Sequence, residues 1–299
     1  MVVGMYYITL MTIILIYAIA VMGLNLTMGY AGQVNLGQAA FMGIGAFTSA
    51  ILTTKLGLSF WIALPLSALS AFLVGILLGA ISIRLRYDFL AMTTIGFNFI
   101  TVAIFLYYPI FGGSFGIAGI PRPVLFGLKL RGPAYLGLVA AVFMLCVLLS
   151  LWLERSWLGM AFETIREDEH AAQAVGVDVR KFKILAFAIG AGMAGLAGSL
   201  YAHFKMCVAY SDFVFARSIE LLSMCVLGGL GTIYGPVLGS ALIILLPEVF
   251  RPLRAYRLIM HTAILILLIR FQPQGLLGRG SFLQRKLREL LGGLRFGSR

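Results

Sequence analysis

Charged side chains are scarce in this chain. Only 11% of its 299 residues are Asp, Glu, Lys or Arg, whereas soluble domains carry about 25%. The charge-free runs cover residues 1–54, 56–83, 89–121, 132–153, 184–204 and 221–247. Each run is long enough for a membrane helix of about 20 residues, and their unbroken apolar character favours helices over the alternating strands of a barrel. The composition therefore predicts an all-α polytopic membrane protein.

Cysteine is also scarce, and the sequence patterns that bind nucleotides or metals are missing. The three cysteines, Cys146, Cys207 and Cys225, have no CxxC spacing, which is typical of small apolar core residues. No lysine follows a glycine, so the phosphate-binding loop GxxxxGK[ST] is absent. His203 and His261 have no metal-ligand partners at useful spacing. We therefore expect no cofactor or metal site in this chain, and any ATP and Mg²⁺ to bind partner subunits.

A glycine pattern at 190–195 matches GxGxxG by letter, but no strand precedes it and an apolar helix contains it. A dinucleotide site is therefore not expected there. Gly192, Gly195 and Gly198 instead predict a flat helix face for a neighbouring helix.

Spans are predicted at 4–26, 36–54, 59–82, 89–110, 134–153, 184–204 and 256–271. Residues 218–248 are predicted to form a broken element, because glycine and proline disfavour helix interiors. The residues of the break are Gly228, Gly229, Gly231, Gly235 and Pro236. Two half-helices meeting there would make two crossings or a re-entrant hairpin, so we expect about 8–9 passes.

The net charge of +12 is explained by a cytoplasmic excess of Lys and Arg better than by nucleic-acid binding. Arg84, Arg86 and residues 154–183 are predicted on the cytoplasmic side, whereas Arg122 and Arg131 fall outside, against that rule. Residues 1–278 would form the membrane domain. Residues 279–299 would form a basic amphipathic tail on the cytoplasmic side, which either lies on anionic membrane lipid or serves only as a topological anchor.

Residues 154–183, called the charged segment below, hold 11 of the 34 charged side chains. Apolar residues recur there at helical spacing and predict one or two short amphipathic helices; they are Leu158, Phe162, Ile165, Ala172 and Val175. Gly176 is a predicted helix stop, and Asp178 a predicted cap of the next helix. Connectors between bundle helices usually have about 2–8 residues, so a docking surface is favoured over a solvated connector.

Polar residues are unusually dense at 25–38, where Gly29, Gly32 and Gly37 interrupt the first two spans. Irregular backbone at membrane depth is tolerated inside protein or beside a water-filled path. The candidate pathway residues are Asn25, Gln33, Asn35, Gln38 and, in a later span, Asn98. An interfacial turn whose amides satisfy its own backbone explains the pattern equally well.

Two acidic residues, Glu220 and Glu248, flank the broken element. Buried acids can relay protons, but at segment ends an interfacial position is favoured.

The motif Ala171-Ala172-x-x-x-Gly176 resembles the EAA loop of ABC importer permeases, which fits a groove on the ATPase subunit. His170 stands where that motif has Glu, and Glu169 lies one place earlier. Further stretches are similar to the branched-chain amino-acid ABC transporter permease family, more in its LivM type than in its LivH type. These stretches are 29–41, 85–97, 166–198, 227–239 and 273–278.

The resemblance implies an ABC importer permease fold in a prokaryotic cell (inner) membrane, with the charged segment in the cytoplasm. It implies transport of branched-chain or related amino acids by alternating access. The implied partners are a LivH-like permease subunit, two ABC ATPase subunits and an external substrate-binding protein. The implied ATPase-coupling residues are Glu167, Asp168, Glu169, His170, Ala171, Ala172 and Gly176.

Two other functions are compatible with a glycine-broken membrane helix. A proton-coupled secondary transporter would need a membrane-embedded acid, for which Glu220 and Glu248 are the candidates. A channel would use 228–235 as a filter, although no carbonyl filter motif is found there.

Overall fold

A computed structural model describes residues 2–82, 87–125, 127–249 and 275–276. Within these residues the chain forms ten α-helices, which are α1 Val2–Asn25, α2 Gln38–Thr54, α3 Phe60–Ser82, α4 Tyr87–Tyr107, α5 Pro133–Arg155, α6 Trp157–Glu167, α7 Glu169–Ala174, α8 Val179–Lys205, α9 Phe215–Gly228 and α10 Gly235–Val249. The strands have two residues each: β1 Ile117–Ala118, β2 Val124–Leu125, β3 Leu128–Lys129 and β4 Cys207–Val208. Strand β1 pairs antiparallel with β4, and β2 with β3.

Five of the described helical segments are long and apolar enough to cross a membrane; they are Gly4–Tyr30, Phe60–Ile81, Phe89–Tyr107, Pro133–Arg155 and Val179–Lys205. This confirms the helical membrane class predicted from composition. The predicted span 256–271 and the predicted tail 279–299 lie outside the described residues.

Helix α8 is the centre of the bundle, and its glycines let three other helices approach closely. A Cβ on Gly190 would overlap α1 at Gly23, one on Gly195 would lie 2.6 Å from Ala71 Cβ in α3, and one on Gly198 would overlap α2 at Met42. Gly192 has more room, with Phe72 Cβ at 3.5 Å from its added Cβ. The predicted glycine face is confirmed for Gly192 and Gly195, which share α3 as their neighbour, but Gly198 faces α2 instead.

The basic residues before α5 and those of the charged segment lie at opposite ends of that helix. Helix α5 begins at Pro133, two residues after Arg131, and ends at Arg155 inside the charged segment. Near the end of α3, a Cβ on Gly79 would lie 3.0 Å from Ile184 Cα, which is close to the start of α8. Arg131 and the charged segment are thus at opposite ends of the bundle.

The connection between α1 and α2 is irregular over a long stretch. Helix α1 continues into a π-helical turn, Leu26–Tyr30, and α2 begins only at Gln38, whose Nε2 donates to Ala20 O and Gly190 O at 3.0 and 3.3 Å. Gly190 lies about 16 Å along α8 from Val179, at 1.5 Å per residue, so α2 starts deep in the bundle. The predicted span 36–54 is therefore a 17-residue helix behind a buried loop.

The region predicted as a broken element contains two helices, α9 and α10, separated by residues 229–234, called the break below. The two helices pack against each other, and a Cβ on Gly228 would overlap the Gly235 carbonyl. Gly275, at φ +74°, lies against the same place, because its Cβ would be 2.6 Å from Gly229 Cα.

A chain of buried hydrogen bonds lies at the end of the bundle opposite the charged segment. Ser199 Oγ donates to Ser49 Oγ at 2.8 Å, Ser49 lies 2.9 Å from His203 Nε2, and His203 Nδ1 lies 2.7 Å from Pro121 O. Because the Pro121 carbonyl can only accept, His203 carries its proton on Nδ1 and accepts at Nε2. Every hydrogen-bonding nitrogen of His203 is used, so the residue is structural.

Candidate functional site

The charged segment folds as two short helices, α6 and α7, that lie across one end of the bundle. Phe162, Ile165 and Ala172 are 0%, 1% and 0% exposed, and they pack in one cluster with Leu26 and Tyr30 of the π-helical turn. Burial of each large apolar side chain contributes about 1.5–3 kcal/mol. The predicted apolar stripe is confirmed for these three residues.

Val175 does not belong to the stripe. It is 74% exposed, because it is the last residue before the turn at Gly176 and the chain has left helical geometry there. The predicted stripe included Val175, but α7 ends one residue earlier, at Ala174.

The start of α7 is fixed by a side-chain cap. Asp168 Oδ1 accepts from the backbone N–H groups of His170 and Ala171 at 2.8 and 3.1 Å. These two hydrogen bonds favour the carboxylate and hold the pKa of Asp168 below its ordinary value. Asp168 therefore organises α7 with its own side chain.

The end of α7 is fixed by glycine. Gly176 has φ +84°, Val177 N donates to Ala172 O and Gly176 N donates to Gln173 O, both at 3.0 Å. This pattern of two bonds is the Schellman motif, whose left-handed residue is usually glycine. The predicted helix stop is confirmed.

The predicted cap of the next helix is also confirmed. Asp178 Oδ1 accepts from Lys181 N at 3.3 Å, and its Oδ2 lies 3.1 Å from Lys181 Nζ. The ion pair and hydrogen bond to Lys181 lower the pKa of Asp178.

The consecutive polar residues of the charged segment differ in what they contact. Glu169 forms an ion pair with Lys183 of α8, and the Lys183 side chain is only 12% exposed. Glu167 and His170 are exposed, and the side chain of Glu167 makes no hydrogen bond or ion pair within the described residues. Glu167 and His170 thus present an open polar face to the solution.

Asn25 joins α1 to the break. Its Oδ1 accepts from Gly231 N at 2.8 Å, and its Nδ2 donates to Thr232 O at 2.9 Å. A side-chain amide donates through its nitrogen and accepts through its oxygen, so Asn25 alone satisfies one backbone N–H and one backbone carbonyl of the break. Asn25 is 2% exposed, and this role is structural.

Asn35 and Gln38 organise the buried start of α2. Asn35 Oδ1 accepts from Gly37 N, and Asn35 Nδ2 donates to Gln38 Oε1, both at 2.9 Å. Two further side chains complete the loop: Ser218 Oγ accepts from Ala39 N and Thr94 Oγ1 accepts from Leu36 N, both at 3.0 Å. These contacts match the interpretation in which the amides satisfy local backbone.

Gln33 and Asn98 are different. Both are buried, at 1% and 0% exposure. The amide oxygen and nitrogen of Gln33 and the amide oxygen of Asn98 have no hydrogen-bond partner among the described residues. A buried amide without a partner costs free energy, so these two side chains are the strongest candidates for contact with water or substrate.

Sequence reasoning missed Ser218, Thr94 and Thr232 as organising residues. Thr94 and Ser218 accept through their hydroxyls and Thr232 through its backbone carbonyl, from partners that tertiary packing brings near across 58 to 207 positions. A lone hydroxyl carries no spacing signal, and helical hydroxyls often bond only to their own helix.

The acids that flank the broken element are only partly described. Glu220 forms an ion pair with Arg217 in α9, where the two side chains are 11% and 23% exposed. Arg217 also stacks on Tyr17, at 5.4 Å from the ring centroid. The side chain of Glu248 lies outside the described residues.

Comparison with known proteins gives a consistent result. The family model described as the branched-chain amino acid transport system permease component matches residues 6–269. The high-affinity branched-chain amino acid transport system permease protein LivM of Escherichia coli K12 is 38% identical, over 89% of this chain and 68% of the relative. BraD of Pseudomonas aeruginosa, of the same description, is 26% identical over 88% of this chain and 92% of its own length.

The chain is also similar, over a shorter stretch, to the LivH permease of Escherichia coli K12, which is 30% identical over 46% of this chain and 45% of the relative. No solved structure matches.

Proposed function

Since the chain belongs to the branched-chain amino acid transport permease family, we propose that it is one transmembrane subunit of an ATP-driven ABC importer. It is a multi-pass membrane protein with helical spans. The proposed cargo is branched-chain or related amino acids. The proposed partners are a LivH-like permease, two ABC ATPases that bind ATP and Mg²⁺, and an external substrate-binding protein, in a prokaryotic inner membrane.

The observation that carries this proposal is the open polar face of α6 and α7. The apolar side of these helices is buried on the bundle, while Glu167 and His170 face outward. The sequence offers no P-loop of its own. A helix pair with an exposed polar face, whose second helix is capped at both ends, suits an ATPase groove if the chain receives its energy from a partner subunit.

We assign the contact to Glu167 and His170, because Asp168 is engaged as a cap and Glu169 is engaged with Lys183. Ala171, Ala172 and Gly176 then shape the turn instead of touching the partner through polar groups. The end of the bundle that carries the charged segment would face the cytoplasm, and residues 122–131 the outside.

Helices α9 and α10 would form a hairpin that begins and ends on the outer side. They have 14 and 15 residues, or about 21 and 22 Å, and are shorter than a hydrocarbon core of about 30 Å. The break then lies near the cytoplasmic side, next to Gly29 and the charged segment. Movement of the break against the loop 31–37, beside Gln33, would open and close the path.

The test is uptake of radiolabelled branched-chain amino acids into proteoliposomes that contain the complete complex. We expect the labelled amino acid to accumulate only when ATP and the ATPases are inside the vesicles and substrate-loaded binding protein is outside. Omission of the ATPases serves as the matched control. Accumulation without ATP would contradict the proposal and favour a proton-coupled carrier, for which a proton gradient would replace ATP.

A further inference from the structure

Arg166 forms a bridge between the charged segment and two irregular parts of the membrane domain. It lies in the last turn of α6, and its guanidinium Nη1 donates to the carbonyl of Gly29 in the π-helical turn. Its aliphatic stem lies on the turn at Gly32, where a Cβ would be 3.1 Å from Arg166 Cγ. No carboxylate lies within ion-pair distance of Arg166 among the described residues.

The same guanidinium also lies against the break. A Cβ on Gly231 would be 2.9 Å from Arg166 Nη1 and 3.1 Å from Gly29 O. Both Gly32 and Gly231 have positive φ, +66° and +73°. Glycine is required at these two positions for backbone conformation and, in addition, for the close approach of Arg166.

The contacts continue from the break into α1. Gly231 N donates to Asn25 Oδ1, and Asn25 Nδ2 donates to Thr232 O. Arg166, Gly29, Gly231 and Asn25 therefore form one continuous set of contacts. It joins α6 to the end of α1, to the start of the buried loop 31–37 and to the hairpin of α9 and α10.

We propose that Arg166 is the positioning residue through which movement of the charged segment reaches the break and the loop 31–37. The inference rests on the proposed function and names the link within it. If α6 moves while Arg166 remains hydrogen-bonded to Gly29, the π-helical turn moves with it. Because Gly231 rests on the same guanidinium, the break must follow or lose contact.

The exposure of Arg166 suits a contact that forms and breaks. Arg166 as a whole is exposed and its hydrogen bond to Gly29 is only partly buried, so the guanidinium can exchange this bond for bonds to water when the contact opens. A fully buried arginine would be held in one position, because an unpaired buried charge is very unfavourable.

The first experiment measures coupling in the reconstituted complex. Arg166→Met keeps the stem on Gly32 and removes the donors, Arg166→Lys keeps one cationic donor, and Arg180→Met is the matched control, since Arg180 is an exposed arginine of the same segment. We expect at least a tenfold fall in substrate imported per ATP hydrolysed for Arg166→Met, an intermediate value for Arg166→Lys and less than a twofold change for Arg180→Met. Normal coupling in Arg166→Met overturns the proposal. Loss of the ATPases from the complex in that variant alone also overturns it, because Arg166 would then act in ATPase binding.

The second experiment does not depend on transport. Spin labels at Glu163→Cys in α6 and Tyr234→Cys, the last residue of the break, in a background without the native cysteines, report the distance between the two elements. We expect a narrow distribution with Arg166 and a broad or longer one with Arg166→Met. An unchanged distribution refutes the link even where import is ATP-driven. If the unmodified complex shows no ATP-driven import, the proposed function is refuted. The spin-label distance still tests the link through Arg166 in that case.

Discussion

At the residue scale, Gly176 shows how one position can set the geometry of the proposed docking surface. A Cβ on Gly176 meets nothing within 4 Å, so there is no steric reason for glycine. The reason is the backbone conformation at φ +84°, which costs an ordinary L-residue about 1–2 kcal/mol. Gly176→Val is therefore expected to release the end of α7 and to lower substrate import per ATP hydrolysed.

Gly176→Asn is the matched control, because asparagine enters the left-handed region far more readily than a β-branched residue. We expect Asn to retain most of the coupling and Val to lose most of it. Equal coupling in the two variants would show that the turn geometry is not needed for transport.

At the element scale, α7 has only six residues, too few for a stable isolated helix. Its order depends on the Asp168 cap at one end and the Gly176 turn at the other. The two backbone hydrogen bonds lower the pKa of Asp168. The cap therefore stabilises α7 fully above the ordinary Asp pKa of about 3.9, and this stabilisation is lost as the pH falls through the lowered pKa.

We expect the His170 and Ala171 amides to be protected from hydrogen exchange at neutral pH, after correction for intrinsic rates, and to lose protection on acidification. Asp168→Asn still offers a capping oxygen but does not titrate, so its protection should be independent of pH in that range. Loss of protection with the same pH dependence in Asp168→Asn would assign the effect to another group.

The charged segment also shows where sequence reasoning succeeds. The positions of Phe162, Ile165 and Ala172 on one face follow from local periodicity, and the cap Asp178 and the stop Gly176 follow from local backbone chemistry. The cap formed by Asp168 was not predicted from the sequence. Local rules do not reveal that Asn25 satisfies Gly231 and Thr232, more than 200 positions away. That contact exists only because α1 and the α9–α10 hairpin meet at one end of the bundle.

At the scale of the whole molecule, composition predicts the membrane class and the break, but not how the helices are arranged around α8. The glycines of α8 are visible in sequence, while their partners are not. The spacing of Gly192, Gly195 and Gly198 suggested one neighbour. The structure gives two, since Gly192 faces α3, Gly198 faces α2, and Gly195 lies against both helices. The position of α2 against these glycines depends on the loop 31–37 that precedes it, and the sequence of this loop has no periodic pattern.

This arrangement gives a paired test on one helix. Gly198→Ala places a Cβ into the Met42 carbonyl of α2, whereas the Cβ of Gly192→Ala meets Phe72 Cβ at 3.5 Å, an ordinary contact. Overpacking of a close interface costs about 1–3 kcal/mol. We therefore expect Gly198→Ala to lower the unfolding temperature of the purified protein in detergent by several degrees and Gly192→Ala to leave it nearly unchanged. Because the substitution is the same in both variants, the intrinsic preference of alanine for helix cancels between them. Equal unfolding temperatures would mean that α2 is not held against α8 at Gly198, and the buried start of α2 at Gln38 would then have to be placed differently.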